Sequence, residues 1–196
     1  MPMESFEIFK KYLKSKISFT EEEYKFIKSF MTERQVTKGS LLLKAGDICK
    51  FNIFVVKGLL KSYVIDENGK EHIVKFSPEN WWMSDRTSLM NRVPSHYYIM
   101  ALEDSELLLC NRNFEKNVVK VLPEAAYMYQ KLYDTHIMAL ERRIINLIGL
   151  SAEERYLDFM KTYPNLANRV HQKMIASYLG IEPKSLSRIK KDFPPK

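Results

Sequence analysis

The sequence predicts an α+β fold. Antiparallel strands flanked by helices form a sandwich or barrel, and a long helix and a small helical domain follow. Short apolar runs separated by turn residues occupy residues 34–112, as is typical of antiparallel sheets without crossover helices. Helical periodicity follows these runs, and a capping box begins at Ser151 after a break at Gly149. We therefore expect one domain at 1–150 and a second at 151–196.

Two short helices are expected before the strands. Phe6, Phe9 and Tyr12 lie at helical spacing, and Thr20 followed by three glutamates is typical of a helix N-cap with an acidic first turn. The strands are predicted at Gln35–Val36, Leu41–Leu43, Ile53–Val56, Leu59–Val64, Ile73–Phe76, Tyr97–Leu102 and Leu107–Cys110. Asn68-Gly69 is the clearest hairpin turn because both residue types tolerate positive φ.

Composition favours a globular protein of the cytoplasm. With 45% apolar and 28% charged residues among 196, the chain can bury a substantial core. Its two cysteines, Cys49 and Cys110, form no CxxC pair, so one chain supplies neither a zinc site nor a four-cysteine cluster, and we expect reduced thiols. Charges interrupt the apolar positions of residues 1–16, which argues against a signal peptide or a membrane span.

The charge distribution favours an anionic partner. The chain carries a net charge of +7 and has a pI near 9.2. From Arg169 to Lys196, seven basic residues stand against two acidic ones, so five of the excess positive charges lie in the last 28 residues. A basic balance alone does not distinguish nucleic acid from a membrane surface.

One long helix is predicted at about 124–150, and it carries a heptad pattern. Its seam consists of Tyr133, Ile137, Leu140, Ile144 and Leu147. A helix of about 25 residues spans about 37 Å, which is more than a domain of this size needs for internal packing. Two interpretations fit the seam equally: an interface with a second copy of the chain, or a long core helix packed on its own sandwich.

The segment Gln172–Lys191 has the pattern of a helix-turn-helix, with a first helix at Val170–Leu179. Such a motif needs a small residue where the helices cross, a glycine for the left-handed turn, a proline at the first position of the second helix, and apolar inward residues. These positions are held by Ala176, Gly180, Ile181, Pro183, Leu186 and Ile189, of which Ile181 is expected to plug the turn into the core.

The outward positions of the second helix are Lys184, Ser185, Ser187, Arg188 and Lys191. Long donors and hydroxyls in the N-terminal half of such a helix read base edges in the major groove, and basic residues contact phosphate. The pattern therefore indicates double-stranded DNA as a partner. The alternative is a helical hairpin whose basic face is only solvated.

These motifs together resemble the Crp/Fnr family of transcription regulators. The landmarks are Gly46-Asp47, Phe54-Val55-Val56-Lys57-Gly58, Asn68-Gly69-Lys70-Glu71, Ser-Ala-Glu-Glu-Arg ending at Arg155, Ile175-Ala176-Ser177-Tyr178-Leu179-Gly180 and Ser185-Leu186-Ser187-Arg188. The resemblance covers nearly the whole chain. It implies a cyclic-nucleotide-binding-type jelly roll, a long dimerisation helix and a C-terminal helix-turn-helix. It also implies a sequence-specific DNA-binding regulator, homodimeric and not an enzyme, with RNA polymerase as a partner by family analogy.

The resemblance assigns roles to the basic residues of the motif. The residues that match base-reading positions are Lys184, Ser187 and Arg188. Lys173 and Lys191 match phosphate contacts. Many family members place strands after the recognition helix, whereas this chain ends at residues 192–196, so we expect a smaller DNA-contacting surface without a wing.

Cyclic AMP is not expected to be the effector. Family members that bind it hold the ribose with Gly-Glu and, about ten residues later, the cyclic phosphate with Arg-Ser. Those positions here are Ser84-Asp85 and Ser95-His96. The chain thus lacks a charge-assisted anchor worth roughly 1.5 to 3 kcal/mol per hydrogen bond. Leu140 and Glu141 stand where cyclic-AMP binders place small hydroxyls near the base.

A different small-molecule effector remains open. The candidate pocket consists of Trp82, Ser84, Asp85, Ser95, His96 and Tyr97, a set with aromatic and polar groups. The alternative is that these residues form core and rim without any ligand. The histidines, His72, His96, His136 and His171, show no metal-ligand spacing, so we expect no metal, haem or other cofactor.

The principal rival is a cupin-like jelly-roll enzyme or small-molecule-binding protein with an incidental basic hairpin at its C-terminus. Cupin chemistry needs two or three histidines and a glutamate on neighbouring strands, and only His72 and His96 lie at predicted strands. The sequence has no nucleophile–base pairing and no phosphate loop. A third hypothesis is an interaction module whose basic helices bind an acidic protein.

Overall fold

The structure is a computed structural model of the chain, and it describes residues 4–193. Its helices are α1 (Glu4–Lys14), α2 (Glu21–Lys28), α3 (Arg86–Asn91), α4 (Phe114–Val121), α5 (Ala125–Gly149), α6 (Ala152–Thr162), α7 (Gln172–Leu179) and α8 (Pro183–Asp192), with a 3₁₀ turn at Leu166–Asn168. Its strands are β1 (Met31–Val36), β2 (Leu41–Leu43), β3 (Phe51–Lys57), β4 (Leu60–Ile65), β5 (Glu71–Ser77), β6 (Trp82–Met83), β7 (Tyr98–Ala101) and β8 (Ser105–Asn111). Residues 194–196, part of the segment that predicts a wingless DNA surface, lie outside the described residues.

The strands form two four-stranded sheets, with orders β1-β8-β3-β6 and β2-β7-β4-β5. Strand β8 pairs antiparallel with both β1 and β3, and β7 pairs antiparallel with β2 and β4. Strands that are neighbours in a sheet but distant in sequence are expected of a jelly roll. The predicted α+β class, with a jelly roll and a helical C-terminal part, is therefore confirmed.

Strand β3 is buried on both faces, which explains its continuous apolar run. Ile53 and Val55 face the second sheet and pack in a core with Leu107. Phe54, on the opposite face, packs in a second core beneath α1 and α4, where it meets Phe9. Because alternate side chains of a strand point to opposite faces, a strand covered on both faces needs apolar residues at every position.

Two predicted helix starts are confirmed by their caps. The Thr20 side chain accepts a hydrogen bond from the Glu23 N–H, and the Glu23 carboxylate accepts one from the Thr20 N–H. Ser151 and Glu154 repeat this reciprocal arrangement at the start of α6. Each capping box satisfies two backbone donors that the helix itself leaves unpaired.

Three elements were not predicted: β6, α3 and α4. Strand β6 has two residues, too few for a periodic pattern. Helix α3 begins where the Asp85 carboxylate accepts a hydrogen bond from the Ser88 N–H, and it ends at Arg92 with a left-handed φ of 58°. No glycine marks that end, so the usual sequence signal of a helix stop is missing.

The described chain divides into two compact units. One contains the chain up to Val64 together with Lys75–Leu132, and the other contains Ile65–Val74 together with the chain from Tyr133 onward. Helix α5 continues from the first unit into the second. The boundary expected near residue 150 stays a prediction about where the domains separate. Among residues 4–193, no helix is both long and apolar enough to cross a membrane.

Candidate nucleic-acid interface and sensor pocket

Helices α7 and α8 form the predicted tight turn. Gly180 follows α7 in the left-handed conformation, with φ 64° and ψ 39°. The Ile181 N–H donates to the Ala176 carbonyl oxygen at 3.0 Å, and the Gly180 N–H donates to the same oxygen, so both N–H groups that follow α7 are paired. Pro183 occupies the first turn of α8, where its missing N–H costs nothing.

The inner faces of the two helices pack with α6 in a small core. Ala176 is fully buried at the helix crossing, and Leu186 and Ile189 are buried on α8, as predicted. Ile181 is half-buried rather than buried, so its side chain enters the core less fully than the sequence predicts. The apolar face of α8 therefore determines which of its side chains face solvent.

The outer face of α8 carries most of the predicted DNA-contacting side chains. Lys184, Ser187, Arg188 and Lys191 are exposed on α8, Ser185 is half-buried there, and Lys173 is exposed in the first turn of α7. Positions 184, 188 and 191 repeat at helical spacing, so three cationic side chains share one face and extend about 10 Å along the axis. Such a row of donors can contact an anionic partner that has a groove wide enough for a helix.

The heptad seam of α5 faces solvent in the single chain. Ile137 is 52% exposed, Leu140 43% and Ile144 57%, and Leu147 is also exposed, whereas Tyr133 is half-buried. These four aliphatic side chains therefore do not form the core of their own chain. An exposed apolar stripe of this length is typical of an interaction surface.

At the candidate pocket, three of the six predicted residues come together. The Ser95 hydroxyl donates to the Asp85 carboxylate at 2.8 Å and accepts from the Tyr97 N–H at 3.0 Å. Asp85 and Ser95 are both buried. The second carboxylate oxygen of Asp85 accepts from the Ser88 N–H at 3.0 Å. The polar groups that the resemblance aligns with the ribose and phosphate positions of cyclic-AMP binders therefore satisfy one another.

Trp82 lies on the other side of the first sheet, within the core beneath α1. Its ring packs at 5.1 Å from the Phe54 ring, and its indole N–H donates to the Tyr12 hydroxyl at 3.2 Å. Burial lowers the pKa of Lys75 to about 8, and the Lys75 ammonium donates to the Trp82 carbonyl oxygen at 2.9 Å. Trp82 thus stabilises the helical layer and does not share a site with Asp85.

The remaining candidate groups do not assemble into a reactive site. Ser84 is half-buried and His96 is exposed. Cys49 and Cys110 are buried free thiols, and burial raises the pKa of both. Across residues 4–193, no three histidine, cysteine or acidic side chains lie close enough to hold a metal ion.

Sequence reasoning missed a set of contacts between α5, α7 and the β4–β5 hairpin. The Ser177 hydroxyl accepts from the Ile73 N–H at 3.0 Å and donates to the Glu71 carbonyl oxygen at 3.1 Å. The Arg143 guanidinium donates to the carbonyl oxygens of Ile73 and Tyr178, each at 3.2 Å, and to that of Val74. These pairs are distant in sequence and carry no local pattern.

Residues 33–120 match the model of the family described as the cyclic nucleotide-binding domain. Electron transport regulator A of Shewanella oneidensis and the fumarate and nitrate reduction regulatory protein of Escherichia coli are each 27% identical to this chain over 173 residues. Both alignments cover 80% of this chain and 66% of the relative's length. These matches support the predicted Crp/Fnr family. FixK2 from Bradyrhizobium japonicum shares the fold of this chain, with a TM-score of 0.70, 18% identity and 83% coverage of each chain.

Proposed function

We propose that this protein is a sequence-specific DNA-binding transcription regulator of the Crp/Fnr type, acts in the cytoplasm and is not an enzyme. The observation that carries the proposal is the outer face of α8, where Lys184, Ser187, Arg188 and Lys191 are exposed above a buried apolar face. A helix held in this way can enter the major groove with its N-terminal turns at the bases. Contact with RNA polymerase follows by family analogy.

The active form is a homodimer through α5. Its exposed stripe at Ile137, Leu140, Ile144 and Leu147 has the heptad spacing of a two-stranded coiled coil. A two-fold dimer presents two recognition helices to a palindromic site, with half-site centres about 34 Å or about 10 base pairs apart. Burying this stripe removes apolar area from water, which is the main favourable term in association.

The sensor domain does not respond to cyclic AMP. It binds a different ligand or has no ligand at all. A cyclic phosphate would have to displace the Ser95–Asp85 hydrogen bond and then lie beside a buried carboxylate. Like charges at such short range in a buried site repel strongly. Asp85, Ser95 and Tyr97 are the residues whose environment a non-anionic effector would change.

Genome-wide mapping of bound DNA tests the proposal most directly. We expect a palindromic operator, and purified protein should bind it far more tightly than scrambled duplex of equal length. Binding should weaken steeply with salt because phosphate contacts release counterions. Equal affinity for an acidic polypeptide would favour the interaction module. Turnover of a small molecule without any preference for duplex DNA would favour the cupin-like alternative.

A further inference from the structure

The hairpin between β4 and β5 is a rigid turn within the second compact unit. The Asp66 carboxylate accepts from the N–H groups of Asn68 and Lys70 at 2.9 and 3.0 Å, and its other oxygen pairs with His72 Nε2 at 2.7 Å. The Asp66 N–H also donates to the Lys70 carbonyl oxygen. These bonds fix the turn from inside, so the hairpin can act as a firm support for whatever it contacts.

Ser177 binds this hairpin through two hydrogen bonds. Its hydroxyl accepts from one backbone amide, at Ile73, and donates to one backbone carbonyl, at Glu71. A hydroxyl that both donates and accepts is directionally fixed. Because both partners are main-chain groups of β5, the contact fixes α7 to one register of the strand.

Arg143 joins α5 to the same strand and to α7. Its guanidinium donates to three carbonyl oxygens, those of Ile73, Val74 and Tyr178, and lies 4.1 Å from the centre of the Tyr178 ring. The planar fork of an arginine can bind several acceptors at once, and a lysine cannot reproduce that geometry. One side chain therefore joins α5, the hairpin and α7.

We propose that Arg143 and Ser177 form a latch that holds the helix-turn-helix in a fixed orientation on β5 and α5, and that they are positioning residues for DNA recognition. The inference rests on the proposed function. In the latched state Lys173, Lys184 and Arg188 remain exposed, so the latch leaves the reading surface open. Pre-organised recognition helices lose less conformational freedom on binding, which raises affinity and sharpens selectivity for half-site spacing.

The groove between the hairpin and α7 is no second anion site. It encloses about 690 Å³, and its lining includes two lysines, two glutamates and two histidines, namely Lys70, Lys173, Glu71, Glu182, His72 and His171. Opposite charges in equal number give no net attraction for a phosphate. The hairpin contacts α7 and α5 through its hydrogen bonds with Ser177 and Arg143.

The test compares Arg143→Ala and Ser177→Ala with the control Arg142→Ala. Arg142 is the neighbouring residue, its side chain is 60% exposed, and it pairs with Asp158, which Asn146 also binds. Hydrogen exchange of the Ile73 amide is measured first, without DNA. We expect exchange about 3- to 10-fold faster in Ser177→Ala, because that amide loses its acceptor. Arg143→Ala should also accelerate it, and Arg142→Ala should not.

Binding to the mapped operator is measured next, together with operators whose half-sites are moved by one or two base pairs. Arg143→Ala should lose about 10-fold in affinity for the natural spacing and should discriminate less between spacings, because freed helices reach more arrangements. Arg143→Lys should have an operator affinity and a spacing discrimination between those of the wild type and those of Arg143→Ala. Ser177→Ala covers the case in which Arg143→Ala fails to fold.

The inference would be overturned if Arg143→Ala and Ser177→Ala both kept the wild-type hydrogen exchange rate at the Ile73 amide and the wild-type preference for half-site spacing. A wild-type protein that binds no duplex DNA would instead overturn the proposed function. The exchange measurement separates these outcomes, since it reports on the latch in the absence of DNA.

Discussion

Two polar sites of this molecule differ in where their hydrogen-bonding groups point. On α8, Lys184, Arg188 and Lys191 project into solvent from a helix whose opposite face is buried. At the candidate pocket, the Ser95 hydroxyl and the Asp85 carboxylate bind each other out of contact with water. A partner for the first site displaces only water, whereas an anion at the second would have to break a buried hydrogen bond.

The largest expected effect concerns a second outward surface, the apolar seam of α5. Replacing Ile137 and Ile144 together by aspartate should give monomers, because two charges would then face two charges across the seam. Loss of the second recognition helix should lower operator affinity by about 10²- to 10⁴-fold. Sedimentation equilibrium at micromolar concentration and fluorescence anisotropy measure the two effects.

Ile48→Asp is the matched control for the seam, since Ile48 is 45% exposed but lies outside α5. It should leave both assembly and DNA affinity unchanged. A wild-type protein that sediments as a monomer at micromolar concentration would contradict the dimer.

Arg188→Ala tests the exposed polar site on α8. Arg188→Ala should cost roughly 1 to 3 kcal/mol in each half-site of the operator and relax the preference at one base pair, because a bidentate contact to a guanine edge is lost. Competition with single-base operator variants measures both. If Arg188→Ala keeps wild-type affinity and base preference, α8 is not the reading helix.

The two sites also differ in how far local sequence predicts them. Gly180 and Pro183 act in the turn between α7 and α8, and Leu186 and Ile189 lie three residues apart on one face of α8, so local spacing predicts their places. The contacts of Arg143 with β5 join residues about 70 positions apart, and no periodicity reports them.

The position of Trp82 shows the same limit. Its strand has two residues, and only the pairing of Trp82 with Phe54 determines which face its ring occupies. The sequence predicts it beside Asp85 in an aromatic and polar candidate pocket. The fold places it in the α1 core because alternate residues of a strand face opposite ways.

Ser95→Ala disrupts the buried Ser95–Asp85 site. It removes the donor to a buried carboxylate, which should lower the free energy of unfolding by about 1 to 3 kcal/mol. Urea unfolding followed by circular dichroism measures the loss. Ser187→Ala, at an exposed position on α8, is the control and should leave stability unchanged. Equal stability of both variants would mean that water replaces the Ser95 hydroxyl, and the site would then be open to solvent.

Lys191→Ala sharpens the description of the outward face. Lys191 lies in the last turn of α8, far from the bases in the expected docking, so its loss should weaken specific and non-specific duplexes alike. The slope of log affinity against log salt should fall by about one unit. A loss confined to the specific operator would place Lys191 at a base edge and reverse its role with that of Arg188.

The smallest expected effect is the absence of one: cyclic AMP should give no saturable heat in calorimetry and no change in melting temperature. A ligand present at 100 times its dissociation constant stabilises the folded state by about 2.7 kcal/mol, a shift that thermal unfolding detects easily. AMP serves as the control, because it carries the same base and phosphate without the cyclic ester and reveals any unspecific heat. Micromolar binding of cyclic AMP or cyclic GMP would show that the Ser95–Asp85 pair opens at little cost. The two polar sites would then be equally accessible to an anion, and the contrast between them would fail.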